Sequence, residues 1–357
     1  MHSNDEFLIN QISKVYADKT LIMISIILFI LIVITIKERR QVNDDFLSIE
    51  TSSFLRGCAV LLLLVGHFYL KCVEGVSFFE RAGNWAVVVF LFISGNALYK
   101  SYGLSNLTSR FIFRRLDKII LPTWICLLLF YILSYNINHY SYNWIMVALS
   151  FACIILPRPP DGPAWFITYI LFLYFLYFAV SYLECSNNKK VVVLYGLCIC
   201  CSEFIRLFKN LPIISEFGIW IKYTFVFPTS IFVAMHAGNL KNILNKMFRY
   251  PVLYVFFAVL CSMPLILNIK YSVFDDKLKS ASMLLFVLSL TMLTYIIDRL
   301  SVTSGFLSWL GTYSFEIFLI HLPFMAYYDL FLFRKPLFIF ILIYFVFICS
   351  LSFTLNR

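Results

Sequence analysis

The stretch Leu55-Arg56-Gly57-Cys58-Ala59-Val60-Leu61-Leu62-Leu63-Leu64-Val65-Gly66-His67-Phe68-Tyr69-Leu70 decides how this chain is read. Everything between Arg56 and His67 is apolar or small, so by composition the segment is a membrane helix. It nevertheless carries a cation and a titratable imidazole. The eleven-residue step between them is three helical turns plus about 20°, so both side chains share one face. Their axial separation is about 16 Å, roughly half the hydrocarbon thickness. Ionisable groups at mid-bilayer cost roughly 2.5–3.5 kcal/mol on insertion scales, which makes each a functional candidate. Alone, Arg56 reads as a side chain snorkelling to the interface, and His67 as a histidine satisfied within the packing. Together on one face, with Ala59, Val60 and Leu63 between, they suggest a polar cavity running inward from one membrane surface.

The rest of the 357 residues is of the same kind, 61% hydrophobic and 13% charged, with a mean hydropathy of +0.86. Soluble domains are about 45–50% apolar and about 25% charged. Apolar segments recur at roughly 21–36, 54–70, 84–99, 119–135, 143–157, 164–183, 190–207, 218–237, 251–269, 281–297, 305–323 and 331–352. The expected fold is an all-α polytopic membrane protein of one compact domain, without a large soluble insertion or an internal repeat. The polar first twenty residues lack signal-peptide character, and residues 1–20 are expected on the extracytoplasmic side, before an extra N-terminal helix at 21–36.

Basic residues set the orientation. The "KERRQVNDD" linker and a loop from Lys100 to Lys118 lie two crossings apart and are placed in the cytoplasm, together with Lys189, Lys190, Lys241, Lys246, Arg249 and Arg299. That pattern works if 143–157, about fifteen residues against the roughly twenty needed to span, is a short or re-entrant helix, leaving about eleven crossings. The net charge of +10 then has a topological origin, and nucleic acid is not an expected partner. The cysteines, among them Cys126, Cys153, Cys198, Cys200, Cys201 and Cys349, mostly lie within apolar segments and read as small buried residues. No metal site is expected.

Four further places carry chemistry. "SFEIFLIHLPF" holds Glu316, which needs a partner or a proton, and His321, which ends a helix before Pro323. In "FLFISGNALYKSY", Ser94-Gly95 is either a packing notch or room for a ligand. "RFIFRRLDKIILPTW" places Arg110, Arg114, Arg115 and Lys118 ahead of a helix opening near Pro122. These are positive-inside charge or, because guanidinium forks match phosphates, a site for a cytoplasmic polyanion. "PRPPDGPAWFITYILFLYFLYF" leads a Pro-rich loop into a helix starting at the interfacial Trp165.

Taken in order, "LRGCAVLLLLVGHF", "FLFISGNAL", "FIFRRLDKIILPTW", "AWFITYILFLYF" and "SFEIFLIHLPF" resemble the motif set of acyltransferase family 3, a family of integral membrane acyltransferases. The resemblance covers roughly residues 50–325, within an expected acyltransferase domain at 50–353. The helix at 21–36 precedes the family's usual first helix. The chain resembles the members without an esterase-like extracytoplasmic domain.

The resemblance implies transfer of an acyl group, typically acetyl from acetyl-CoA, to a hydroxyl of a surface or lipid-linked sugar such as O-antigen or capsule. The abundance of Phe, Tyr and Ile, with short loops, points to a bacterial inner membrane as the setting. On the acyl-transfer reading Arg110, Arg114, Arg115 and Lys118 hold the donor's phosphates. Arg56 sits at the channel mouth, and about 16 Å along the helix suits the donor's thin arm reaching His67. A histidine is the usual base for activating a hydroxyl, and His67 is either that base or an acyl carrier. His321 and Glu316 are assigned to orienting the imidazole or the acceptor, and Ser94 to the developing oxyanion. Two other classes fit the composition. A transporter or flippase of lipid-linked glycans should show related halves or broken helices. A glycan polymerase should carry a substantial extracytoplasmic loop.

Overall fold

The computed structural model describes residues 30–38, 45–72, 82–139, 142–154, 165–211, 214, 216–271, 276–328 and 337–356. Helix dominates, as the apolar runs require: in lipid every backbone N–H and C=O must be satisfied within the segment itself. The helices in chain order are α1 (Ile49–Cys72), α2 (Ala82–Tyr102), α3 (Ser109–Asn138), α4 (Trp144–Phe151), α5 (Trp165–Ser181) and α6 (Asn187–Leu207). A 3₁₀ segment, Glu216–Tyr223, leads into α7 (Val226–Met235), followed by α8 (Ala237–Phe248), α9 (Pro251–Tyr271) and α10 (Asp276–Arg299). The chain continues with α11 (Gly305–Thr312), α12 (Ser314–Leu322) with a π turn at Pro323–Tyr327, and α13 (Leu337–Leu355).

Among the described residues five helices are long and apolar enough to cross a membrane. A sixth arises if α8 and the first part of α9, bent by 119°, count as one span. Shorter apolar helices at Trp165–Ser181, Ser314–Tyr327 and Ile339–Leu355 accompany them. On α3 the side chains of Leu121, Trp124, Ile125, Leu128 and Ile132 stand exposed along one face. A stripe of that extent needs lipid rather than water beside it. The chain is an all-α polytopic membrane protein.

The expected short helix at 143–157 is α4, eight residues long and so about 12 Å, too short to span. Two expectations need correction. The basic stretch at 110–118 is not a loop: α3 already begins at Ser109, and Pro122 lies inside it. A proline removes one N–H bond and kinks a helix rather than ending it when the surrounding packing holds both halves. The segment at 305–323 breaks at Tyr313 into α11 and α12. Lys190 is buried, 5% exposed, and donates to the carbonyls of Leu104 (2.6 Å) and Ser181 (2.8 Å). Its ammonium thus serves as a clasp, whereas Lys189 is exposed.

The clasp matters because it fixes the turn that launches α3. Tyr177 donates to the Gly103 carbonyl and Tyr182 to the Leu107 carbonyl at 2.5 Å. The Asn106 N–H reaches Ser181 O at 3.2 Å. An equivalent lock starts α1. Asp298 accepts from the Leu47 N–H (2.7 Å) and from the Thr51 hydroxyl, Lys100 donates to the Phe46 and Leu47 carbonyls, and Ser48 caps the Thr51 N–H. The starts of α1 and α3 and the ends of α2, α5 and α10 therefore gather at one end of the molecule, here called the arginine end.

Residues 30–35 are helical. The chain then forms a strand, β1 (Ile36–Glu38), paired antiparallel with β2 (Val302–Ser304). The Thr35 hydroxyl meets that of Ser304 at 2.7 Å, and Ser304 also caps α11. Residues 1–29, with most of the expected 21–36 helix, lie outside the described residues.

Candidate functional site

α1 is pressed against its neighbours backbone to backbone. A Cβ on Gly57 would stand 2.0 Å from the Leu307 carbonyl oxygen, and one on Gly311 1.8 Å from that of Ser53. Only glycine permits this crossing of α1 with α11. The rotation of α1 is thereby set, and with it the direction in which Arg56 and His67 point.

At one end of this face, His67 meets His321 of α12, with ring centroids 5.1 Å apart and planes tilted by 51°. Gly83 of α2 lies beside the His67 Nε2, 3.5 Å from where a Cβ would be. His321 is fully buried. Its Nδ1 lies 3.0 Å from the Ile317 carbonyl oxygen and 2.8 Å from that of Phe318. Carbonyl oxygens only accept, so Nδ1 carries the hydrogen and Nε2 the lone pair. That Nε2 has no hydrogen-bond partner among the described residues. The backbone is held as well, because Tyr344 of α13 donates to the His321 carbonyl at 2.6 Å. Beside the pair is an aromatic cluster, in which Phe318, 6.0 Å from His321, faces Phe166 (5.2 Å) and Phe90 (6.4 Å). Trp165 stacks on Tyr223, which donates to Asn84 Oδ1 at 3.0 Å.

At the other end, Arg56 is half-buried, with the neutral Tyr174 hydroxyl of α5 and the Arg115 guanidinium of α3 in its electrostatic surroundings. The Tyr174 hydroxyl shares a 2.5 Å hydrogen bond with Ser94. Arg115 lies over the Tyr102 ring, 5.5 Å from its centroid, and its buried Nε has no hydrogen-bond partner among the described residues. Among the described residues neither guanidinium has a carboxylate partner. Two like charges brought together without a counter-charge are unfavourable in a protein, and the arrangement is one that an anion would neutralise.

The sequence-identified residues thus fall into separate groups. Arg110, Arg114 and Lys118 are exposed on α3; of that cluster only Arg115 turns inward. Ser94 belongs to the arginine end. Gly66 touches Gly83, and Ser94 lies eleven residues further along α2, about 16 Å from the histidine pair. The adjacent Gly95 is a packing notch, where a Cβ would fall 1.8 Å from the Ser230 hydroxyl. Glu316, expected to orient the His67 imidazole or the acceptor, is engaged by Asn356. It is buried on the first turn of α12, its Oε1 accepting from Asn356 at 2.6 Å while Oε2 has no hydrogen-bond partner among the described residues. The carbonyls of Ile317 and Phe318 orient the His321 imidazole. No third metal-ligating side chain joins the pair among the described residues. The side chain that sequence reasoning missed is Tyr174. In an aromatic-rich run its hydroxyl gives no signal until the fold sets it beside Arg56.

A multi-pass helical protein with an anion-ready arginine pair and a buried histidine pair at opposite ends of one helix face belongs to the membrane enzymes rather than to structural membrane proteins. The chain is a member of acyltransferase family 3: the acyltransferase domain of that family matches residues 49–357. It is accordingly a membrane acyltransferase. No similarity to a curated protein or to a solved structure was found.

Proposed function

We propose that the protein moves an acyl group, acetyl in the first instance, from a cytoplasmic acyl-CoA to a hydroxyl of a surface or lipid-linked sugar of the O-antigen or capsule type. Its location on this reading is a bacterial inner membrane. The observation that carries the proposal is the histidine pair, 5.1 Å ring to ring, three turns along α1 from an arginine pair that lacks a carboxylate partner among the described residues. The donor is a polyanion with a long thin arm, and each end of the site suits one of its parts.

In this reading Arg56 and Arg115 hold the phosphate groups nearest the arm, with the Tyr174 and Ser94 hydroxyls completing the cradle. Arg110, Arg114 and Lys118, exposed on α3, face the rest of the nucleotide. Basic residues favour the cytoplasmic side, so the arginine end faces the cytoplasm and the donor enters there. The thioester then lies near His67, about 16 Å along the helix. The acceptor hydroxyl attacks the thioester carbonyl carbon, a C–O bond forms, the C–S bond breaks, and the hydroxyl proton ends on sulfur to give the free thiol.

The test follows radiolabelled acetyl from acetyl-CoA in membranes carrying wild type, Arg56→Ala or His67→Ala at matched expression. Label reaching a glycan in wild type and in neither variant supports the proposal. Equal labelling by wild type and His67→Ala removes His67 from the chemistry. No transfer by wild type, together with movement of an intact lipid-linked glycan across the bilayer, would favour transport instead.

A further inference from the structure

Resting on the acyl-transfer reading, we propose that His321 is the base that receives the acceptor's proton, and that its own helix locks it in the one tautomer able to do so. This divides the work of the two histidines. His321 handles the proton, and His67 faces the thioester.

A histidine kept for packing has every reason to occupy both ring nitrogens when fully buried, because an unmade hydrogen bond there is costly. His321 occupies one. Nδ1–H is taken by the Ile317 and Phe318 carbonyls at 3.0 and 2.8 Å, which leaves Nε2 as a bare lone pair without a hydrogen-bond partner among the described residues. The ring cannot easily turn to relieve this. Its Nδ1 is held from its own helix, its carbonyl is held by Tyr344, and Phe318 and His67 flank it at 6.0 and 5.1 Å. Many catalytic histidines have their tautomer fixed by a carboxylate. Here the nearest carboxyl in sequence, Glu316, lies five residues back, about 140° around the helix, and is bound to Asn356. Backbone carbonyls fix the tautomer without adding a buried charge.

As the acceptor oxygen bonds to the thioester carbon, its proton passes to His321 Nε2, giving an imidazolium. When the tetrahedral intermediate collapses and the C–S bond breaks, the imidazolium returns that proton to sulfur. Free thiol and acylated acceptor leave, and His321 is neutral again.

The test compares two nucleophiles in membranes that contain their own glycans, with radiolabelled acetyl-CoA as donor. The glycan hydroxyl needs a base. Hydroxylamine attacks a thioester without one and yields acetohydroxamate. His321→Asn is the informative variant, because its amide can still reach the Ile317 and Phe318 carbonyls while offering nothing where Nε2 was. His321→Gln, whose amide falls near Nε2 instead, serves as the second variant. Glycan labelling should fall by about 10²-fold or more in both, with hydroxamate formation above the protein-free background kept within about threefold of wild type. The proposal is overturned if His321→Asn labels glycan within about threefold of wild type. It is equally overturned if both reactions fall together in both variants while the proteins keep wild-type melting temperatures, which is the signature of a positioning role. Wild type failing in both reactions would overturn the acyl-transfer reading itself, an outcome recognisable before any variant is made.

Discussion

Replacing Arg115 by methionine separates a donor-binding arginine from a topological one. Arg115 is half-buried, its Nε is unpartnered among the described residues, and it lies over Tyr102 and shares its surroundings with Arg56. Hydrogen bonds to charged groups contribute about 1.5–3 kcal/mol each. Loss of one phosphate contact should therefore weaken coenzyme A binding by about 10- to 150-fold. The same change at Arg114, which is exposed, removes a screened charge worth roughly 0.2–1 kcal/mol, a loss of less than about fivefold. Arg115→Met also relieves the repulsion from Arg56 and the desolvation of an unmade hydrogen bond, so without ligand the variant should melt no lower than wild type. The assay is thermal unfolding of the full chain in detergent over a coenzyme A titration. The expected result is an unchanged or raised ligand-free midpoint together with a lost coenzyme A shift. Equal losses for Arg114→Met and Arg115→Met would refute the inward assignment. So would a lower ligand-free midpoint with normal coenzyme A binding.

Three other outcomes are expected. Tyr174→Phe removes the hydroxyl that joins Ser94 beside Arg56; it should raise KM for the donor severalfold with kcat nearly unchanged, read from acetyl-transfer kinetics. Gly311→Ala forces a methyl into the Ser53 carbonyl and should cost about 1–3 kcal/mol or more, seen as a lower melting temperature. Gly196→Ala, in open space on α6, should raise it slightly through helix propensity. Asp298→Ala withdraws the acceptor for Leu47 and Thr51 and should cost roughly 0.5–2 kcal/mol at the start of α1, detectable as faster proteolysis before residue 49.

What the sequence makes legible follows helical periodicity. Arg56 and His67 lie on an uninterrupted helix, so their spacing alone places them on one face. The shortness of α4 follows from counting apolar residues. The misreadings arise where the phase of a helix depends on its start. With α3 opening at Pro122, the four cations look equivalent; opening at Ser109, the helix turns Arg115 inward and leaves the others outside. Tyr174 and Lys190 are invisible for another reason. A hydroxyl in an aromatic run and an ammonium in a basic pair carry no pattern of their own, and only tertiary contacts give them partners. The pairing of His67 with His321, 254 positions apart, is likewise a product of packing, although each histidine stands out alone.

The three-residue ribbon of β1 and β2 has a comparative consequence. β1 lies ahead of residue 49, where the family match begins, yet its partner β2 runs directly into α11 and so toward the helix that bears His321. In a relative whose chain starts at the family boundary, Val302–Ser304 would present a bare edge of backbone donors and acceptors. Such a relative should show a compensating change at that place, whether a proline, a charged residue or a longer turn. Aligning family members with and without the leading segment therefore offers a natural experiment on how an appended helix becomes tied to an existing enzyme.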